Sequence, residues 1–203
     1  MLLNIQEVLE ESAKTACIKN DIRLSGVTVD AEMIKAVMIN EVVPEDPDND
    51  FYGKSPSPNY LSTTIPLFQK AGVQVSSIDE ILSYGIYITN AVKRPKTEYT
   101  IAKSMIEESL PILEKEINLF PNLKVIMLMG DVAKKALNMI AKRKTNQNVI
   151  PAISTYKLRN DVFYYGTIRV FPSYIMTGKN ILIEKSKFQM ASEDIKKMMG
   201  IIA

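Results

Sequence analysis

The run Val125-Ile-Met-Leu-Met129 is followed at once by Gly130-Asp131 and a helical pattern to about Lys142. A strand with no polar face must be covered on both sides. Gly130 permits the tight strand-to-helix turn that such a junction needs. Ala36-Val-Met-Ile39 is a second short, continuously apolar run. Ile86-Tyr87-Ile88 is a third, and Thr89-Asn90 ends it. Strands buried on both faces and separated by helical stretches point to an α/β fold with a parallel sheet.

The stretches between fit that layout. Leu3, Ile5, Val8, Leu9 and Ala13 recur near helical spacing, with Glu7, Glu10, Glu11 and Lys14 between them. They predict an amphipathic helix over 3–20, laid over the domain. Residues 21–34 read as a mixed connection. A helix is predicted over 59–71, ending before Gly72. The capping-box pattern Ser77-Ile-Asp-Glu80 starts a short one through Leu82. A long helix is predicted from Thr97 to about Asn118, kinked or broken at Pro111. Its Glu107, Glu108, Glu114 and Glu116 are expected to face solvent. Residues 162–171 read as a final strand or hairpin, and 180–200 as a closing helix.

Composition narrows the function classes. A chain of 203 residues, 46% hydrophobic, suits one domain over 1–203 with a full core, residues 1–30 being an N-terminal helical extension. The net charge of +2 excludes an overtly basic nucleic-acid binder, so any phosphate contact must come from local patches. Cys17 is the sole cysteine and there is no histidine. That excludes an intrachain disulfide and a four-thiolate cluster, and it leaves Cys17 as a structural thiol. The expectations are a cytoplasmic monomer with no signal peptide, no membrane-spanning run, no metal and no cofactor.

The polar end of the third strand carries the chemistry. Asn90 sits at a strand's carboxyl end, where open α/β sheets bind ligands. Its amide offers one acceptor and two donors, a match for the imide edge of a pyrimidine; the alternative is a turn cap. Lys93 and Arg94 follow, as DNA-phosphate contacts or as solvated cations. The loop Pro44-Glu-Asp-Pro47-Asp-Asn-Asp50 is acidic and would repel phosphate, so Asp46, Asp48 and Asp50 are read as solvated.

Ile88-Thr-Asn90-Ala-Val-Lys93-Arg94-Pro95 resembles the "TN-V-K-RP" segment of the uracil-DNA glycosylase superfamily, and is closest to its iron–sulfur, thermophile-type branch. Ile39-Asn40-Glu41-Val-Val-Pro44 resembles that family's "GEAPG" motif, and Phe51-Tyr52-Gly53 its "PF-G" segment. Lys124 through Leu137 is similar to its "VIVALG-A-ALL" strand and helix, and Val170-Phe-Pro172-Ser173-Tyr174 to the approach to its "HPS" loop. The likeness runs in order over roughly residues 35–180.

The resemblance implies a three-layer α/β/α sandwich with a mainly parallel central sheet of about four strands. It implies hydrolysis of the N-glycosidic bond of uracil or another deaminated base in DNA. Asn90 would read the base, Phe51 (or else Tyr52) would stack on it, and Glu41 would place the water or stabilise the cationic sugar. Ser173 and Thr177 would hold a flanking phosphate, with Lys93, Arg94 and Lys179 on the DNA backbone. The branch takes a histidine from its "HPS" loop, and this chain has none. Phe171-Pro172-Ser173-Tyr174 replaces that motif in one register, Ile175-Met176-Thr177 in the other; the second keeps the residues leading into the loop. Either way an apolar side chain stands for the imidazole, leaving backbone N–H groups or Lys179 to stabilise the departing base. The cluster cysteines are absent too, so the expectation is a cluster-free relative. Two other readings are a catalytically weak relative that binds DNA or a base, and an α/β protein that binds a free nucleotide.

Overall fold

The computed structural model describes residues 1–15, 22–96, 98 and 100–203. Cys17, the end of the helix predicted over 3–20, and Thr97 and Tyr99 lie outside the described residues. β1 (Leu2–Asn4) leads into α1 (Ile5–Thr15), and β2 (Thr28–Asp30) returns to pair antiparallel with β1, Leu3 opposite Val29. The chain therefore starts as strand where helix was expected. The Met1 ammonium, 2.6 Å from the Asp30 carboxylate, joins the two strands, and the Asn4 side chain accepts the Glu7 N–H to begin the helix.

β3 (Ala36–Val42), α2 (Asn59–Lys70), α3 (Ile78–Ser83), β4 (Ile86–Val92), α4 (Lys103–Ile117), β5 (Val125–Met129) and α5 (Asp131–Thr145) follow. Then come α6 (Thr155–Leu158), β6 (Phe163–Tyr165), β7 (Ile168–Ser173), α7 (Asn180–Ile183) and α8 (Lys185–Ile202). Ser77 caps α3 through the Glu80 N–H, as its capping-box spacing predicts. α4 begins at Lys103 and passes through Pro111 unbroken. Proline removes a single N–H there, while buried Leu110, Ile112 and Leu113 hold the helix on the sheet.

Among the described residues the central sheet has five strands in the order β4-β3-β5-β7-β6. The first four are parallel, as expected; β6 is an antiparallel addition that hairpins onto β7. Side chains alternate between the faces. Val37, Ile39, Tyr87, Ile126 and Leu128 pack with Leu110 and Leu113 of α4 and Leu137 of α5. Met38, Ile88, Met127 and Phe171 pack with Leu67 and Phe68 of α2, Ile81 of α3, and Ile195 and Met198 of α8. The result is the α/β/α sandwich.

β4 lies at the sheet margin, and other groups occupy its outward backbone. The Ile88 N–H donates to the Tyr52 hydroxyl at 3.1 Å, and the Lys93 N–H to the Ser109 hydroxyl at 3.0 Å. The Lys93 carbonyl accepts the Arg23 N–H at 2.8 Å.

Candidate active site

The parallel register sets Asn40 of β3 directly opposite Asn90 of β4. Both side chains therefore leave the same face at the carboxyl end of the sheet. Asn40 Nδ2 donates to Asn90 Oδ1 at 2.8 Å. Asn90 Nδ2 in turn donates to both carboxylate oxygens of Asp50, at 3.0 and 3.1 Å. Thr177, from the loop after β7, donates its hydroxyl to Asn40 Oδ1 at 3.2 Å. A continuous polar chain, Thr177–Asn40–Asn90–Asp50, thus crosses the end of an otherwise apolar sheet. Asn90 is 4% exposed, and Asp50 is half-buried.

Asp50 corrects the reading of its loop. It belongs to the site, where it takes the Asn90 amide and the Phe51 N–H, the latter at 2.9 Å. It precedes Phe51, whose ring is 1% exposed and meets Tyr60 with 5.2 Å between centroids. Burying that ring draws the neighbouring carboxylate in. Phe51, Asp50 and Asn90 share the wall of a cavity of about 20 Å³, room for one water. Tyr52 supports the strand instead: it stacks on Tyr87 at 5.8 Å and holds the Ile88 N–H.

Glu41 follows Asn40, so in a strand it points to the other face. Its Oε1 accepts the Val132 N–H at 3.1 Å, in the first turn of α5. It lines a cleft of about 620 Å³ together with Ser154, Tyr156, Tyr174, Ile175 and Lys187. Glu41 of β3 and Asn90 of β4 thus point to opposite faces of the sheet, and Asn40 is the immediate neighbour of Asn90. Alternation along β3 was the signal for this.

Three further expectations change. Lys93 is not a DNA-backbone contact: it is 3% exposed, with Nζ 2.5 Å from Glu116 Oε2 and 2.7 Å from the Thr89 hydroxyl. Glu116 does not face solvent; its other oxygen accepts the Tyr87 and Thr89 hydroxyls at 2.6 and 2.8 Å. Ser173 is not open to a phosphate. It is fully buried and donates to Asp194 at 2.8 Å, and Asp194 also meets Arg159 at 2.9 Å. The Thr177 hydroxyl is likewise turned inward to Asn40. Arg94 is partly exposed and paired with Glu108 at 2.8 Å, and Lys179 is exposed in the loop between β7 and α7. Ile175 is 38% exposed on the cleft, and Met176 is buried.

The family model described as the uracil DNA glycosylase superfamily matches residues 40–193. The chain belongs to the uracil-DNA glycosylase superfamily. No curated protein is matched by the chain. Membership supports a DNA glycosylase-like function in repair, with DNA as the class of substrate. In this superfamily member the matched span opens at Asn40 and takes in Asp50, Asn90 and Thr177, the whole of the polar chain.

Burial raises the Asp50 carboxyl above the ordinary carboxylate range, against the opposing pull of the Phe51 N–H, the Asn90 amide and the Lys93 ammonium. Burial raises Glu41 as well, the Val132 N–H opposing. A carboxyl whose folded pKa exceeds its unfolded one adds stability that is complete below the unfolded pKa. That contribution is lost as pH rises through the folded pKa. Relative to the wild type, Asp50→Asn, which cannot ionise, is therefore expected to gain melting temperature as pH rises from 4 to 7. The difference should shrink as pH falls towards 4. Thermal melts of both proteins across that range check it, and a constant difference would contradict it.

Proposed function

We propose that the chain is a DNA glycosylase that hydrolyses the N-glycosidic bond of a damaged base, uracil among the candidates. The observation that carries this reading is the in-register Asn40–Asn90 pair at the carboxyl edge, with Asp50 and Phe51 closing against it. A base must leave the stack to reach such an edge. Asn90 and Asp50 meet its hydrogen-bonding edge and Phe51 lies against its ring. Bond cleavage leaves positive charge on the sugar and negative charge on the base. The Glu41 carboxylate, at the mouth of the cleft, suits the sugar cation or an attacking water. Ile175 stands apolar on the cleft, so stabilisation of the departing base falls to backbone N–H groups of the 174–179 loop and to Lys179. Lys179 and Arg94 are the remaining candidates for backbone phosphates.

One observation favours the second reading, a relative that binds without turnover. Both functions of the Asn90 amide are already satisfied within the protein, and the cavity beside it has room for only one water. The test is base release from single-stranded and duplex oligonucleotides carrying one uracil, one hypoxanthine or one oxidised guanine, with Asn90→Ala beside the wild type. Release from any of them that falls at least 100-fold in the variant (roughly the loss of one key transition-state donor) supports the glycosylase. No release at enzyme excess, with salt-sensitive binding retained, establishes the binding reading.

A further inference from the structure

We propose that the Glu41 cleft continues into a trough along α5 that holds a single strand of DNA, a base on Tyr156 and phosphates on Lys135, Lys142 and Arg143. The inference rests on the reading that the chain acts on DNA. It names the form of the strand and the surface that holds it.

Three hollows join end to end. The cleft of about 620 Å³ at Glu41 shares Asp131 and Ser154 with a hollow of about 320 Å³. That hollow shares Lys135, Asn138 and Ala152 with a groove of about 630 Å³ between α4 and α5. Asp131, Lys135, Asn138 and Lys142 lie four, three and four residues apart, on one face of α5. The track therefore follows the helix for about 16 Å. Asn138 fixes the opposite wall. Its Nδ2 donates to the Ile150 carbonyl at 2.7 Å, and its Oδ1 accepts the Val149 and Ile150 N–H groups, each at 2.9 Å. The segment after α5 is thereby pinned alongside the helix.

The charges along the track sort into pairs and a remainder. Asp131 is paired with Lys134 at 2.7 Å, and Glu107 with Lys103 at 3.3 Å. Glu41 accepts the Val132 N–H at 3.1 Å. Lys187, at the cleft end, is paired with Glu184. Among the described residues the exposed Lys135, Lys142 and Arg143 pair with no acid. The helix dipole accounts for cations in the last turn of α5, but not for Lys135 in its middle. At the other end, Tyr156 is 70% exposed on the wall of the cleft. An open ring and a row of unpaired cations are the two parts that hold single strands, by stacking a base and meeting the phosphates. Ile106, Met139 and Ala152 give the groove an apolar floor. A duplex has its bases already stacked and presents a convex face, so it reaches neither Tyr156 nor that floor.

Fluorescence anisotropy reads the binding of a short undamaged oligonucleotide to the full chain, as single strand, as duplex and as RNA. Single-stranded DNA is expected to bind about ten-fold tighter than duplex, and RNA no tighter than the DNA strand. In the triple variant Lys135→Gln, Lys142→Gln, Arg143→Gln, the slope of log K against log salt should flatten by about 2, roughly 0.7 per cation. Tyr156→Ala should bind about ten-fold more weakly with an unchanged salt slope, and Tyr156→Phe should keep the affinity. Melting curves verify that the variants fold. Equal affinity for duplex overturns the strand selection, and tighter binding of RNA overturns DNA as the occupant. An unchanged salt slope in the triple variant overturns the assignment to α5. Displacement of the DNA by polyglutamate of equal charge and concentration would give the trough to an acidic protein segment instead. If single strands bind through the trough but no base is released, the glycosylase reading fails and the trough stands. If base release depends on Asn90 while the triple variant binds as the wild type does, the trough fails alone.

Discussion

Replacing Lys93 with methionine is expected to lower the unfolding free energy by about 3–5 kcal/mol, the cost of stranding one partner of a buried ion pair. The Lys93 side chain is 4% exposed and that of Glu116 is 2%, so both charges are withdrawn from bulk solvent. Three hydroxyl or ammonium partners surround the Glu116 carboxylate: Lys93, Tyr87 and Thr89. Methionine fills the volume of lysine but leaves that charge with two neutral donors. Urea denaturation should show the midpoint falling with an unchanged slope. Glu116→Gln keeps an acceptor oxygen for Tyr87 and Thr89 while removing the charge. The double variant should therefore recover part of the loss, and the shortfall from additivity measures the pair itself. A single-variant loss below about 1 kcal/mol, the range of exposed pairs, would mean that the pair is screened as if in bulk solvent.

The second large effect is expected at Gly130. Its φ of +113° and ψ of 176° lie in a region that is essentially restricted to glycine. A Cβ there would stand 2.4 Å from Glu41 Oε1, 2.9 Å from Cδ and 3.0 Å from Cγ. Gly130→Ala is thus expected to cost roughly 1–3 kcal/mol in backbone strain, and also to push Glu41 off the Val132 N–H. The two parts separate in a cycle. With Glu41→Ala as background the steric part disappears, so the double variant should be less destabilised than the sum of the singles. If the two costs add, the Gly130–Glu41 contact carries no energy. Any base release should fall with Gly130→Ala as well, because the carboxylate leaves its place on the cleft.

The parallel core was legible because its evidence is local. Continuous apolar runs at 36–39, 86–88 and 125–129 became β3, β4 and β5, and the Ser77 capping pattern became α3. Asn90 at a strand end was legible for the same reason. The polar partners were not. Lys93 and Glu116 lie 23 residues apart, and only the packing of α4 onto β4 brings them together. Each side chain looks solvated in its own segment. Asp50 reads as one more acid in an acidic loop until the burial of Phe51 turns it inward. β1 and β2 are three residues each and pair across a long gap, too short to carry an alternation signal. The split between Glu41 and the Asn40–Asn90 pair was available from period-two alternation alone, once β3 is extended past Ile39 to Val42.

The strand that presents Asn90 is also one of the two margins of the central sheet. An uncovered flank is a template on which another extended chain can stack, and that is how folded proteins begin to aggregate. Here a tyrosine hydroxyl, a serine hydroxyl and the backbone of Arg23 cap it at Ile88 and Lys93. Those plugs come from three separate segments of the chain, so the flank is sealed only after all of them have docked. Until then, during synthesis or after partial opening, the strand that carries Asn90 is open to wrong association.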